Sequence, residues 1–357
     1  PSLPWVMAGW RQPQRATKDL RRMVRPGVEV TQAQVKGIEP ARQMVVTDSQ
    51  ELGYDYLLVA LGADMAPGLV AGFTESAHNF FTLEGATELA RALRTFPGGK
   101  VVVLVCSLPY KCPAAPYEAA LLLHNVLQRR GASGAVDLQV FTPETLPMPV
   151  AGPVLGNAVK KMVEDRGIGF HPGVQVTAID APAHKVVFKD GSSVPFDLLV
   201  AVPPHRPPAA LGGSGLTDEA GWVSVDRHTL GTRFGNVYAV GDVTRIILPN
   251  GKPLPKAGVF AHAQAGIVAR RISADVAGCV PDATFDGLGY CTIEAGDGVA
   301  GFATGNFYAE PDPMVELRRP GRMWHWGKVL FESYWLGDGL TRAASAYALA
   351  VGSKFLR

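Results

Sequence analysis

Between Val101 and Arg130 the chain has no glycine. This segment, VVVLVCSLPYKCPAAPYEAALLLHNVLQRR, reads as a buried strand running into a helix, the way a dinucleotide-binding unit begins. Such a unit needs glycines in its strand-to-helix turn so that backbone can approach a pyrophosphate. Here the turn holds Cys106, Pro109, Cys112, Pro113 and Pro116 instead, which argues against nicotinamide binding at that position. Cysteine is scarce too. The four present, Cys106, Cys112, Cys279 and Cys291, fit no zinc spacing and no CxxC pair, and are too few for a disulfide scaffold. If any are paired in function, the fold must bring them together. No run of about 18 apolar residues offers a membrane-spanning helix, and a net charge of +2 gives no electrostatic reason to expect nucleic acid.

What is there fits a globular enzyme of two domains: 357 residues, 47% hydrophobic and 18% charged. Short strands are predicted within 28–47 and over 54–60, followed by a Pro/Gly-rich stretch at 66–72. A helix is expected over 83–94, strands at 136–141, 170–180, 184–188 and 196–202, and a helix at 154–166. After a second linker at 202–213 come a strand at 236–243, a helix at 257–272 with small residues on one face, and strands within 284–310. This alternation predicts an α/β fold with a mainly parallel, helix-covered sheet. The tail from Trp324 is dense in aromatics, and from Leu317 to Arg357 seven basic residues stand against two acidic ones. Within it Leu340, Ala344, Tyr347, Val351 and Phe355 recur at helical spacing. Such a stripe suits either an interfacial helix or one packed on a core.

Two blocks with similar endings, YDYLLVALGAD and FDLLVAVPPHR, bracket the cysteine-bearing segment. With KCPAAPYE (111–118), NVYAVGDV (236–243), PLPKAG (253–258), YCTIEAGD (290–297) and GRMWHWGKVLFESYW (321–335), the chain resembles the sulfide:quinone oxidoreductases and the related flavocytochrome c sulfide dehydrogenase flavin subunits. The resemblance implies two Rossmann-like domains, one inserted in the other. Residues 1–75 are then part of an FAD-binding domain, 76–203 a second domain carrying Cys112, 204–283 the return to the FAD domain, and 284–357 a C-terminal quinone- and membrane-facing region. It also places the first FAD-binding βαβ unit, with its glycine fingerprint, ahead of Pro1.

The implied cofactor is FAD. Gly241 and Asp242, at a strand end, would take a ribityl hydroxyl; a turn-capping Asp is the plainer reading of that dipeptide. Lys256, before a helix N-terminus, would stabilise an anionic reduced flavin, and Gly62 and Val35 would touch the phosphate and adenine ends. The resemblance implies a redox pair of Cys112 and Cys291, with sulfide attacking the oxidised pair and electrons passing to the flavin. Lys111 is expected to lower a thiol pKa, and Glu118 is a candidate proton acceptor. Cys106 and Cys279 are expected to be inert core residues. Many relatives carry a further cysteine in the segment matching FFTLEGATEL, where this chain has Thr82 instead.

Phe331 and Trp324 are expected on the quinone side. The tail implies a peripheral protein on the cytoplasmic membrane of a prokaryote. The alternatives are a flavin subunit that passes electrons to a cytochrome partner, a type II NADH dehydrogenase-like flavoprotein, and a non-catalytic relative.

Overall fold

The computed structural model describes residues 2–131 and 136–354, and for 350–354 only the backbone. After a short helix α1 (Leu3–Met7), strands β1 (Val35–Glu39) and β2 (Met44–Thr47) pair antiparallel, and β3 (Leu57–Val59) follows. Residues 28–34, expected to begin a strand, are irregular. They are mostly exposed and polar, and offer no alternating apolar face to bury.

A short helix α2 (Phe73–Ser76) leads into a five-stranded parallel sheet made of β4 (Ala77–His78), β5 (Gly99–Val105), β6 (Val136–Phe141), β7 (Gly169–His171) and β8 (Leu198–Val202), in the order β4-β8-β5-β6-β7. Every pairing is parallel. Helices α3 (Leu83–Thr95), α4 (Ala115–Arg129) and α5 (Pro153–Glu164) supply the crossovers. The Thr82 side chain accepts a hydrogen bond from Gly85 N and caps α3. Helix α4 has Leu121, Leu122 and Leu123 fully buried in succession, as a helix apolar on all sides must be. Strands β5 and β8 are near-continuous Val/Leu runs buried on both faces.

Strand β9 (Val237–Ala239) then pairs in parallel with the distant β3, so the chain returns to the sheet it left. Helix α6 (Gly258–Val276) follows, then an antiparallel meander of β10 (Leu288–Gly296), β11 (Val299–Asn306) and β12 (Met314–Gly321). Gly296, Gly298 and Gly301 have the spacing of a dinucleotide fingerprint, but the first two lie at the β10–β11 turn and Gly301 lies within β11, and none opens a helix. The chain ends in α7 (Arg322–Leu336) and α8 (Gly339–Lys354). Among the described residues no helix is long and apolar enough to cross a membrane.

Candidate active site at the end of the parallel sheet

The turn from β5 to α4 carries Cys112 at the C-terminal edge of the sheet, where ligands of open α/β folds sit. Cys112 is pinned at φ 60, a left-handed conformation that costs a non-glycine residue about 1–3 kcal/mol. Two backbone hydrogen bonds hold it: its N–H donates to Lys256 O at 2.7 Å and its carbonyl accepts from Ala115 N at 2.8 Å. The side chain is exposed.

Cys291, on β10, lies close enough to Cys112 for the charge of one thiolate to raise the pKa of the other thiol. Burial of the surroundings, then the charge of Glu118, push the Cys112 thiol up to about 11. Burial raises Cys291 further, with Cys112 and Glu118 adding to it. Lys328 opposes both shifts. Lys328 is therefore the side-chain cation that acts on both thiols. Lys111 turns away, with its Nζ 3.5 Å from Ala63 O.

Glu118, one turn into α4, is buried and accepts a hydrogen bond from the equally buried Lys328 of α7. Burial raises the Glu118 pKa while Lys328 holds it back. Burial works against the Lys328 charge, but Glu118 and Glu294 outweigh it and leave its pKa raised. Glu294, three residues past Cys291 and fully buried, takes His325 Nδ1 at 3.0 Å on each carboxylate oxygen. Sequence reasoning missed Lys328, Glu294 and His325. A lysine and a histidine among tryptophans read as a solvated fringe; the available signal was their i, i+3 spacing, continued four residues on by Glu332.

A third buried carboxylate, Glu144, accepts from Tyr110 Oη at 2.9 Å, from Tyr117 Oη, and from Thr142 Oγ1 at 3.4 Å. Burial pushes its pKa up to about 7 against those donors. Tyr110 and Tyr117 flank Cys112 in sequence, so Glu144 ties both sides of the cysteine turn together.

Gly241 and Asp242 follow β9 as expected. Gly241 has φ +73, and a Cβ there would lie 2.8 Å from Ala261 Cβ; its N–H donates to Gln264 Oε1 at 2.7 Å. Asp242 Oδ1 is buried without a partner, and burial raises the carboxyl pKa, with Lys256 and Lys111 opposing. His205, which sequence reasoning passed over, is a second orphan near the same two lysines. Its Nδ1 lies 2.8 Å from Pro203 O while Nε2 is buried and unpartnered. Burial, then the charges of Lys111 and Lys256, bring its pKa down to about 4. Two unfilled acceptors beside a glycine cradle and two cations fit a hydroxyl-bearing, anionic cofactor such as FAD.

Lys256 is placed differently from expectation. Its amine is buried, donates to Asp242 O at 2.6 Å and Thr244 O at 3.2 Å, and lies 3.4 Å from the centre of the Trp222 ring. Burial lowers its pKa to about 8. Its charge bears on the cleft through Asp242 and the helix end, with no free amine at the surface. Gly62 has φ +70 in the turn after β3. Val35 starts β1 and packs into the small core around β3 and β9, apart from the cysteines.

The expected quinone-side residues fall on one row of rings. Phe331 lies 6.2 Å from Tyr290, Tyr290 is 5.9 Å from Phe302, and Phe302 stacks on Trp324 at 4.6 Å. Tyr290 precedes Cys291 on β10, so their side chains point to opposite faces of the strand and the row of rings lies on the face away from the cysteine. Cys106 is buried, and burial pushes its thiol up to about 12, as expected of an inert core cysteine. Cys279 is exposed in the loop after α6, which corrects its assignment to the core.

A parallel, helix-covered sheet with a Gly-Asp cradle and unfilled acceptors beside it is the architecture of a flavin-dependent oxidoreductase. The chain belongs to the pyridine nucleotide-disulphide oxidoreductase family, which matches residues 3–266. It is 28% identical to the sulfide-quinone reductase of Aquifex aeolicus, over 94% of this chain and 81% of the relative. It is 24% identical to the mitochondrial sulfide:quinone oxidoreductase of Mus musculus, over 86% and 69%. The solved structure of the sulfide:quinone oxidoreductase from Aquifex aeolicus superposes with a TM-score of 0.82 at 25% identity, over 94% of this chain and 81% of that one. The expected resemblance, the Rossmann-like α/β fold and the FAD-dependent oxidoreductase class are borne out.

Proposed function

We propose that this protein oxidises sulfide at the Cys112–Cys291 pair and passes the electrons to a quinone at the membrane surface. The observation that carries the proposal is that Cys112, hydrogen-bonded through its N–H to Lys256 O at 2.7 Å beside Asp242, lies within electrostatic reach of the sequence-distant Cys291. In the oxidised pair, HS⁻ attacks one sulfur; the S–S bond breaks, leaving a persulfide on one cysteine and a thiolate on the other. Each sulfide converted to zero-valent sulfur releases two electrons and one proton. Gly241, Asp242 and the α6 N-terminus, with Gly62 and Val35, would hold FAD, which when bound would supply the two-electron acceptor. Glu118 takes the proton, and Lys328 steadies the thiolate.

Phe331 and Tyr290 meet edge-on at 6.2 Å across β10 from Cys291 and offer an apolar surface to a flat acceptor. The tail supports a quinone over a cytochrome, because its helices are amphipathic in the inverted sense. On α7, Lys328 and Glu332 are buried while Met323 and Trp326 are exposed. On α8, Ser345 is buried while Leu340 is 90% and Tyr347 74% exposed. An apolar outer face of this kind suits the interface of a bilayer. The side chain of Val351, and Phe355, lie outside the described residues.

The test is an anaerobic titration of the FAD-loaded protein, following flavin absorbance with sulfide and separately with NADH. Sulfide should bleach the flavin and NADH should not, since the β5–α4 turn has no glycine to cradle a pyrophosphate. Bleaching by NADH alone would overturn the proposal.

A further inference from the structure

The inward face of α7 forms a line of charge. His325, Lys328 and Glu332 recur at the spacing of one helical stripe, and each meets an ionisable or charged partner from elsewhere: Glu294 from β10, Glu118 from α4 and Arg11 from the segment after α1. Four of these groups, Glu118, Glu294, Lys328 and Glu332, are buried. Burying charge on this scale is costly, and packing alone does not require it. The line also has a direction. Glu118 and Lys328 act on both cysteines, whereas the His325 side chain is 20% exposed.

We infer that Glu118, Lys328, Glu294 and His325 form a proton route from the cysteine pair to the surface, with His325 as its outer gate. The inference rests on the sulfide oxidation proposed above, whose balance, HS⁻ to zero-valent sulfur plus H⁺ plus two electrons, leaves one proton to export. The electrons go to FAD. The proton goes first to the Glu118 carboxylate, and Lys328 takes it as it gives one of its own to Glu294. Glu294 hands it to His325, which releases it to water.

Lys328 is bonded to Glu118, and His325, one turn earlier on the same stripe of α7, is bonded to Glu294 at 3.0 Å, so the helix brings the two carboxylates to adjacent positions between which the flexible Lys328 side chain can pass a proton. Cys112 sits beside Asp242 and Lys256, where the cofactor would cover it, so α7 offers the proton its way out. The other charges packed against the route are Arg11 and Glu332, paired at 2.9 Å. Arg11 lies 4.5 Å and Lys328 5.1 Å from the Trp5 ring, which the His325 ring meets edge-on at 5.9 Å. Trp5 thus fixes the geometry of the route from its apolar side.

The experiment is rapid anaerobic reduction of the FAD-loaded full chain by sulfide, from pH 6 to pH 9, in His325→Ala, His325→Gln and Glu294→Gln. The limiting rate should fall roughly ten-fold in each, with the sulfide concentration at half-maximal rate unchanged. Added imidazole should restore His325→Ala, where a cavity admits it, and should not restore Glu294→Gln. Wild-type rates and an unaltered pH profile in both His325 variants would overturn the route while leaving sulfide oxidation standing. So would a loss that imidazole leaves untouched and that follows a lowered melting temperature. A wild type that sulfide fails to reduce would remove the oxidation itself, and the route with it.

Discussion

Lys328 of α7 donates a hydrogen bond to Glu118 of α4 across 210 residues of sequence, and both side chains are buried. The pair sets opposing fields on the thiols: Glu118 raises Cys112 and Lys328 lowers it. Removing each should therefore move the cysteine in opposite directions. At pH 8, alkylation of Cys112 by iodoacetamide should be faster in Glu118→Gln and slower in Lys328→Met, by about ten-fold for each pKa unit displaced. Either substitution strands a buried charge and should cost about 3–5 kcal/mol. The double variant should recover most of that in denaturant unfolding. Equal alkylation in all three would mean the pair does not govern the thiol.

Cys112→Ser and Cys291→Ser should each reduce sulfide-driven flavin bleaching by at least about 100-fold, with flavin content unchanged. Cys106→Ser, away from the pair in the sheet core, should leave the rate as it is while lowering stability, since a hydroxyl replaces a packed sulfur. Retained sulfide turnover in Cys112→Ser would refute the redox pair.

Much of this architecture was legible in the sequence, because periodicity reports burial. The strand expected at 136–141 forms there, and the helix expected over 83–94 forms as Leu83–Thr95, where apolar spacing places them. The Gly241–Asp242 turn was legible for the same kind of reason, as a buried strand stopping abruptly at a residue that tolerates positive φ. What composition and spacing could not give were contacts between distant segments. Lys111 is next to Cys112 in sequence but donates to Ala63, whereas the side-chain cation that acts on the thiol is Lys328. The same limit hid Lys328 and Glu332, which look like the basic and acidic fringe of an aromatic run until α7 is seen to turn its polar stripe inward.

Glu144 should give the fold a pH dependence of its own. Its folded-state pKa of about 7 lies above the ordinary value of 4.5, so between those values the folded state holds a proton that the unfolded chain releases. The stability it contributes is complete below about pH 4.5 and is lost as pH rises through 7. The loss should reach at most about 3 kcal/mol, from roughly 1.4 kcal/mol per pKa unit. Glu144→Gln keeps an acceptor for Tyr110 and Tyr117 and removes the titration. Urea unfolding at pH 5, 6, 7 and 8 should show the wild type weakening and the variant holding level. Parallel pH profiles would show that Glu144 stays ionised throughout.

The inverted helices of the tail lead to the last prediction. Leu340 and Tyr347 project from α8 while Ser345 faces in, and Trp326 and Met323 project from α7. In water such a surface is unfavourable, at about 25 cal/mol for each Å² of apolar area left exposed. At a bilayer interface the same side chains become the binding energy, with the neighbouring arginines drawn to anionic headgroups. Leu340→Asp combined with Tyr347→Asp should therefore release the protein from vesicles of anionic and zwitterionic lipid in a flotation assay. The variant should lose quinone reduction in the membrane, while sulfide should still bleach its flavin at the wild-type rate, because neither residue approaches the cysteine pair. Raising the salt concentration should weaken wild-type binding only in part, since screening acts on the arginines and leaves the apolar contacts intact. Binding abolished by salt alone would assign the attachment to charge, and undiminished flotation of the double variant would place the membrane contact elsewhere on the protein.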